Sequence, residues 1–158
     1  MEASAALFEL ASVSLACRDQ DTLLKTVAAR VGAAVSARAV LIWVAADDSG
    51  LVCRGRWVDT AERIQPERGP IDEGVLAEVC ETGETRRAGA RQISPDMLAH
   101  LDDASRGRVK SAVWAALPGG KRWQGVLEAL GKRSGEFTAE DELFVEEASR
   151  LCGQALTN

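Results

Sequence analysis

Four cysteines and a single histidine are the residues with the most chemistry to offer, and their spacing offers little of it. Cys17, Cys53, Cys80 and Cys152 are far apart, none belongs to a C-x-x-C pair, and His100 is the lone imidazole. Zinc sites need closely arranged soft ligands, and disulfide frameworks belong to short secreted chains. The pattern therefore predicts reduced thiols packed as small apolar side chains, no metal site, no cofactor and no catalytic residue. His100 is followed by Asp102 and Asp103 and reads as a surface residue. A Ser-His-Asp set would require it to enter a pocket, and no phosphate-binding glycine loop is present. The expectation is a protein that is not an enzyme.

The net charge of −5 opposes direct nucleic-acid binding, which needs a clustered excess of Lys and Arg. The short basic stretches at 86–91 and 106–110 read as solvated loop charge. With 158 residues, 46% hydrophobic and 27% charged, the chain is expected to form one globular domain over 1–158. No apolar run approaches the ~18 residues of a membrane span. The N-terminal stretch has acids but no early Lys or Arg, so it reads as an amphipathic helix and not a signal peptide. A cytoplasmic protein without a membrane partner is expected.

Residues 3–16 place Leu7, Leu10, Ala11 and Ser14 at helical spacing. Asp21 is a candidate cap for a second helix, whose apolar face is Leu24, Ala28, Val31 and Val35. Residues 38–46 and 51–58 read as two strands joined by the turn signal at 47–50. A third helix is expected over 72–81, stopped by Gly83, then an edge strand within 85–91. Pro95 opens a short helix carrying Met97, Leu98 and Leu101. Two more strands, 111–117 and 123–130, flank the Pro118-Gly119-Gly120 turn. Thr138 and Asp141 resemble a capping box for a last helix striped by Phe144, Ala148, Leu151 and Ala155. Short hairpin connections demand antiparallel pairing, so the class is α+β, with a central antiparallel sheet covered by helices.

Three strings in this order resemble the GAF family: GPIDEGVLAEVCETGE around the third helix, SAVWAALPGGKRWQGVLEAL in the last two strands, and FTAEDELFVEEASRLCGQAL in the closing helix. Together they span most of the chain. Ala77, Ala116 and Gln124 depart from residues common in that family. The resemblance implies a three-layer α/β/α domain with strand order 2-1-5-4-3. The first, second and last helices would cover one face. The third and fourth helices and the long loops would enclose a ligand pocket on the other.

Strand alternation puts Trp43 on one face of the first strand, Trp114 on one face of the fourth and Glu128 on one face of the fifth. The resemblance makes these the pocket side. With a four-residue hairpin loop at 47–50, Arg54 pairs opposite Trp43 and joins them. Two indoles, a cation and a carboxylate would suit a small planar or zwitterionic metabolite. Alternatively, the tryptophans fill the core and the two charges pair with each other.

Several known GAF chemistries lack their residues here. No cysteine precedes His100 for bilin attachment, and the cyclic-nucleotide signature string is missing. The cysteines of free-methionine-sulfoxide reductases have no counterparts at the start of the third helix or before the fourth strand. Haem ligation would rest on His100 alone. The leading expectation is a small-molecule-sensing regulatory domain, the N-terminal module of a bacterial transcription activator or sensor kinase whose output domain lies outside this chain. Surplus apolar residues on the helices at 1–16 and 138–156 predict a homodimer formed through them. The alternative is a ligand-free dimerisation or protein-interaction module.

Overall fold

The computed structural model describes residues 3–16, 19–46, 50–67, 69–120 and 122–157. Its elements are α1 (Ala3–Ala16), α2 (Gln20–Val35), β1 (Ala37–Ala45), β2 (Leu51–Val58) and α3 (Gly74–Thr82). They continue with β3 (Arg86–Ala88), a 3-10 turn (Pro95–Leu98), α4 (Asp103–Arg106), β4 (Ala112–Gly119), β5 (Arg122–Lys132) and α5 (Ala139–Thr157). The five strands form one antiparallel sheet in the order β2-β1-β5-β4-β3, so the topology implied by the resemblance is the one observed. Among the described residues no helix is long and apolar enough to cross a membrane.

Local signals account for most element ends. The cap of α2 is Asp19 and not Asp21: its side chain accepts from the Thr22 N–H, while Asp21 lies inside the first turn, where a negative charge still meets the helix dipole favourably. Gly83 ends α3 in the left-handed conformation at φ 75° and returns its N–H to Val79, a geometry that costs a Cβ-bearing residue more. Thr138 and Asp141 exchange side-chain hydrogen bonds with each other's backbone N–H, at 2.8 and 3.1 Å, the capping box expected from sequence.

Side-chain alternation splits the core into two layers. Val40, Ile42, Val113, Ala115, Leu117, Leu127 and Ala129 face α1, α2 and α5. Ala39, Leu41, Trp43, Ala112, Trp114, Ala116, Val126 and Leu130 face α3 and the segment from 93 to 109. Central β5 is approached so closely at Gly125 that a Cβ there would lie 2.0 Å from the Trp43 carbonyl oxygen. Gly125→Ala must therefore push β1 and β5 apart; a loss of about 1–3 kcal/mol is expected in chemical denaturation.

Among the described residues, most of the apolar side chains expected to be surplus on the terminal helices pack within the chain itself. Leu10, Phe144 and Val145 are buried, and Leu7 and Leu151 pack partly against the same core. Leu143 stays 62% exposed. Expectations placed on Cys17, on the turn residues 47–49 and on the side chains of Phe8, Val13 and Leu15 lie outside the described residues.

Candidate functional site

Glu128 sits in the middle of the central strand and is 0% exposed. Its cross-strand partners are Leu41 on β1 and Trp114 on β4, and Trp43 is paired with Val126, two residues away on the same face. Diagonal and direct neighbours at these spacings lie within reach of a long side chain. Trp43 donates its indole N–H to Oε1 at 3.0 Å, and Trp114 donates to Oε2 at 2.8 Å. Oε2 is also the partner of His100 Nε2. The His100 ring stands edge-on to Trp43, with centroids 5.5 Å apart and planes at 86°.

This arrangement corrects the sequence reading at two positions. His100 is not a surface residue: it is 5% exposed and turned inward. Leu98 and Leu101, both buried, anchor the segment on either side of it and carry the ring under α3's side of the sheet. That bracketing by apolar residues was the signal available in sequence, and Asp102 and Asp103 outweighed it. Asp102 is in fact the cap of α4, accepting from the Ser105 N–H at 2.9 Å; those bonds hold its carboxyl below the usual range.

Arg54 does not join the site. Ala46 donates to the Gly50 carbonyl and Ala45 opposes Leu51, so the hairpin loop is one residue shorter than expected. Trp43 consequently faces Cys53. The register then shifts between Ile42 and Trp43, leaving Arg54 as the extra residue between Cys53 and Gly55. A one-residue slip sends a side chain to the opposite face. Arg54 reaches Asp21 near the start of α2 at 2.8 Å, both side chains well exposed. The expected alternative, an Arg54–Glu128 pair, is likewise replaced by His100–Glu128. Trp43, Trp114 and Glu128 are brought together as expected.

Burying a carboxylate costs several kcal/mol, and three donors converging on two oxygens offset that cost with charge-assisted hydrogen bonds. The network is closed on itself, yet it is close to solvent at one point. A cleft of about 290 Å³, lined by Ile71, Glu73, Gly74, Asp96, Ala99 and His100, reaches it at His100. A larger cleft of about 470 Å³ lies elsewhere, between Trp123, Thr85 and the α5 residues Glu146 and Arg150.

The thiols Cys53, Cys80 and Cys152 are free. Burial pushes Cys53 and Cys152 up to about 12, with the Glu128 carboxylate adding to the effect at Cys53, and it raises Cys80 as well. All three are protonated at neutral pH and poor nucleophiles. Iodoacetamide at pH 7.5 is expected to label buried Cys152 only at the rate of unfolding and half-buried Cys53 slowly, both followed by intact-mass spectrometry. Because the folded state holds these protons more tightly, their contribution to stability is complete below about pH 9 and declines as pH rises toward about 12. Among the described residues no group of three His, Cys, Asp or Glu could hold a metal ion.

Fold and buried network together define a sheet-centred domain with a polar focus under its α3 layer. The GAF domain profile matches residues 19–156, and the chain belongs to the GAF family of sensory and regulatory modules. Solved structures match it along nearly all its length at low identity. The free methionine-R-sulfoxide reductase of Neisseria meningitidis, solved with its substrate, is 21% identical at a TM-score of 0.77, over 97% of this chain and 87% of that one. The GAF domain of a phosphoenolpyruvate-protein phosphotransferase from Coxiella burnetii is 16% identical at 0.78, over 98% and 92%. A cyanobacteriochrome GAF domain, TePixJ, is 12% identical at 0.69, over 91% and 92%. At these identities the likeness establishes the fold. No curated protein sequence matches the chain.

Proposed function

We propose that this domain senses a small organic molecule on the α3 side of its sheet, around Trp43, Trp114 and Glu128, and acts without catalysis. Its setting would be a signalling protein of the transcription-activator or sensor-kinase kind. The observation that carries the reading is Glu128, a carboxylate buried in the central strand beneath two indoles. A core built only for stability is served as well or better by an apolar residue, since replacing buried ionic groups with packed hydrophobes is often neutral or stabilising. A polar group aimed among aromatic walls is the usual makeup of a small-molecule site. Absence of catalysis is supported by the raised thiols and by the lack of cysteines at the start of α3 and before β4.

Binding would be passed to α1 and α5, with a homodimer formed through these helices; Leu143 on α5 is the exposed apolar residue that supports such a contact. A second reading, a ligand-free interaction module, is favoured by the complete burial of Trp43, Trp114 and Glu128. Native mass spectrometry of protein purified from its own host separates the two. A co-purified metabolite is expected, and adding it at a hundredfold its Kd should stabilise the protein by about 2.7 kcal/mol. Arg54→Ala should bind it unchanged, whereas Glu128→Gln should not. Absence of any bound metabolite, together with no thermal response across a metabolite panel, would favour the ligand-free module.

A further inference from the structure

We infer that His100 is a displaceable internal occupant of the ligand site, and that the ligand it stands in for is a small organic cation carrying an ammonium group. This rests on the small-molecule reading above and specifies the chemistry recognised there. Glu128 offers two acceptor oxygens, each held by an indole N–H, a buried carboxylate that attracts further N–H donors and cations. The group now filling that place has the same character: an imidazole N–H on Oε2, with its ring perpendicular to that of Trp43.

The route inward has a matching charge. The cleft that ends at His100 is flanked by the carboxylates of Glu73 and Asp96, and no Lys or Arg is among its described lining residues. The first residue of α3, Gly74, also lies there and contributes roughly half a positive charge from the helix dipole. Two carboxylates outweigh it, so anions are disfavoured along this path. The cleft, about 290 Å³, is several times the ~30 Å³ share of one liquid water, so an imidazole swung outward has space to go.

Moving the ring need not unravel the segment. The His100 carbonyl accepts from the Glu67 N–H at 2.8 Å, and Leu101 donates to Leu98 at 2.9 Å and bridges to Pro66. These backbone bonds hold residues 98–101 against the loop before α3 while the side chain rotates. An entering ammonium replaces the imidazole N–H on Glu128, so the buried carboxylate keeps a donor throughout. Because His100 holds the site, a ligand binds only the fraction of molecules with the ring out, and its apparent affinity falls by that fraction.

As the sole histidine in the chain, His100 can be followed by its ring NMR signals without ambiguity. The probes are n-butylammonium and its neutral counterpart n-butanol, titrated into the wild type, His100→Ala and His100→Gln. n-Butylammonium is expected to shift the His100 ring signals of the wild type. For an open state populated at about 1–10%, it should bind His100→Ala about 10- to 100-fold more tightly. His100→Gln, which still offers Glu128 an N–H, should show a smaller gain and serves if the alanine variant folds poorly. The proposal is overturned if n-butylammonium binds with the ring signals unmoved, if n-butanol binds the variants equally well, or if neither variant gains affinity. A neutral metabolite that perturbs the indoles while His100 stays on Glu128 overturns the cation assignment but leaves the small-molecule reading intact. Failure of all probes, with no co-purified metabolite, removes both.

Discussion

Glu128→Ala is expected to lower the stability of the folded domain by about 3–5 kcal/mol in urea-induced unfolding, the usual cost of removing one partner from a buried charged network. The loss arises from what is left behind. Two indole N–H groups and the His100 imidazole all point at the carboxylate, and neither indole can reach water without moving a strand. An unsatisfied buried donor costs about 1–3 kcal/mol, so partial relaxation of the three accounts for the total. Glu128→Gln should lose less, since its carbonyl still accepts, although its amide places donors against donors. A loss below about 1 kcal/mol for the alanine variant would mean that the network is looser than the hydrogen bonds indicate. The same variant should also release His100, read as a shift of its ring signals.

Trp114→Ala is the second large effect, with about 3–5 kcal/mol expected from lost burial and the cavity left in a strand flanked on both sides. Trp114 is 0% exposed and lies between β3 and β5, opposite Arg86 and Glu128. Trp114→Phe separates packing from polarity: most of the ring volume stays, while the N–H on Glu128 is lost. A cost of about 1–3 kcal/mol is expected for that change. In a double-mutant cycle, Trp114→Phe and Glu128→Ala should be strongly non-additive, because each removes the other's partner. Additive losses would show that the 2.8 Å contact contributes little.

The two corrections at the site have a common physical origin. The side on which Arg54 falls depends on the residue count around a hairpin, and one residue more or less in the loop flips every side chain beyond it. Nothing in a string of apolar and polar residues shows whether residues 47–50 make a loop of four or of three, or that a bulge then absorbs the extra residue at Arg54. The acidic neighbours of His100 suggest exposure, but Asp102 caps α4 while Leu98 and Leu101 are buried. Burial of a residue on a short, irregular segment depends on what covers it, in this case β5 and α3, contributed from elsewhere in the chain. Trp43, Trp114 and Glu128 were legible because long strands alternate strictly, so face membership follows from position alone. The resemblance then implies on which face a pocket is expected.

By itself, then, the amino-acid sequence determined the strands and the longer helices, the antiparallel sheet, the capping of α5 and the shared sheet face of Trp43, Trp114 and Glu128, but not the division of 95–106 into a 3-10 turn and α4. These follow from local periodicity and turn chemistry, which operate over a few residues, and the family-like strings supplied the strand order. Only the tertiary structure decided the register of β2, the fate of Arg54 and the partner of Glu128. The partners of Glu128 lie 14 to 85 residues away in the chain, where packing of one layer on another selects among local arrangements of similar energy. The solitary histidine thus passes from a surface residue to the group that holds the buried carboxylate.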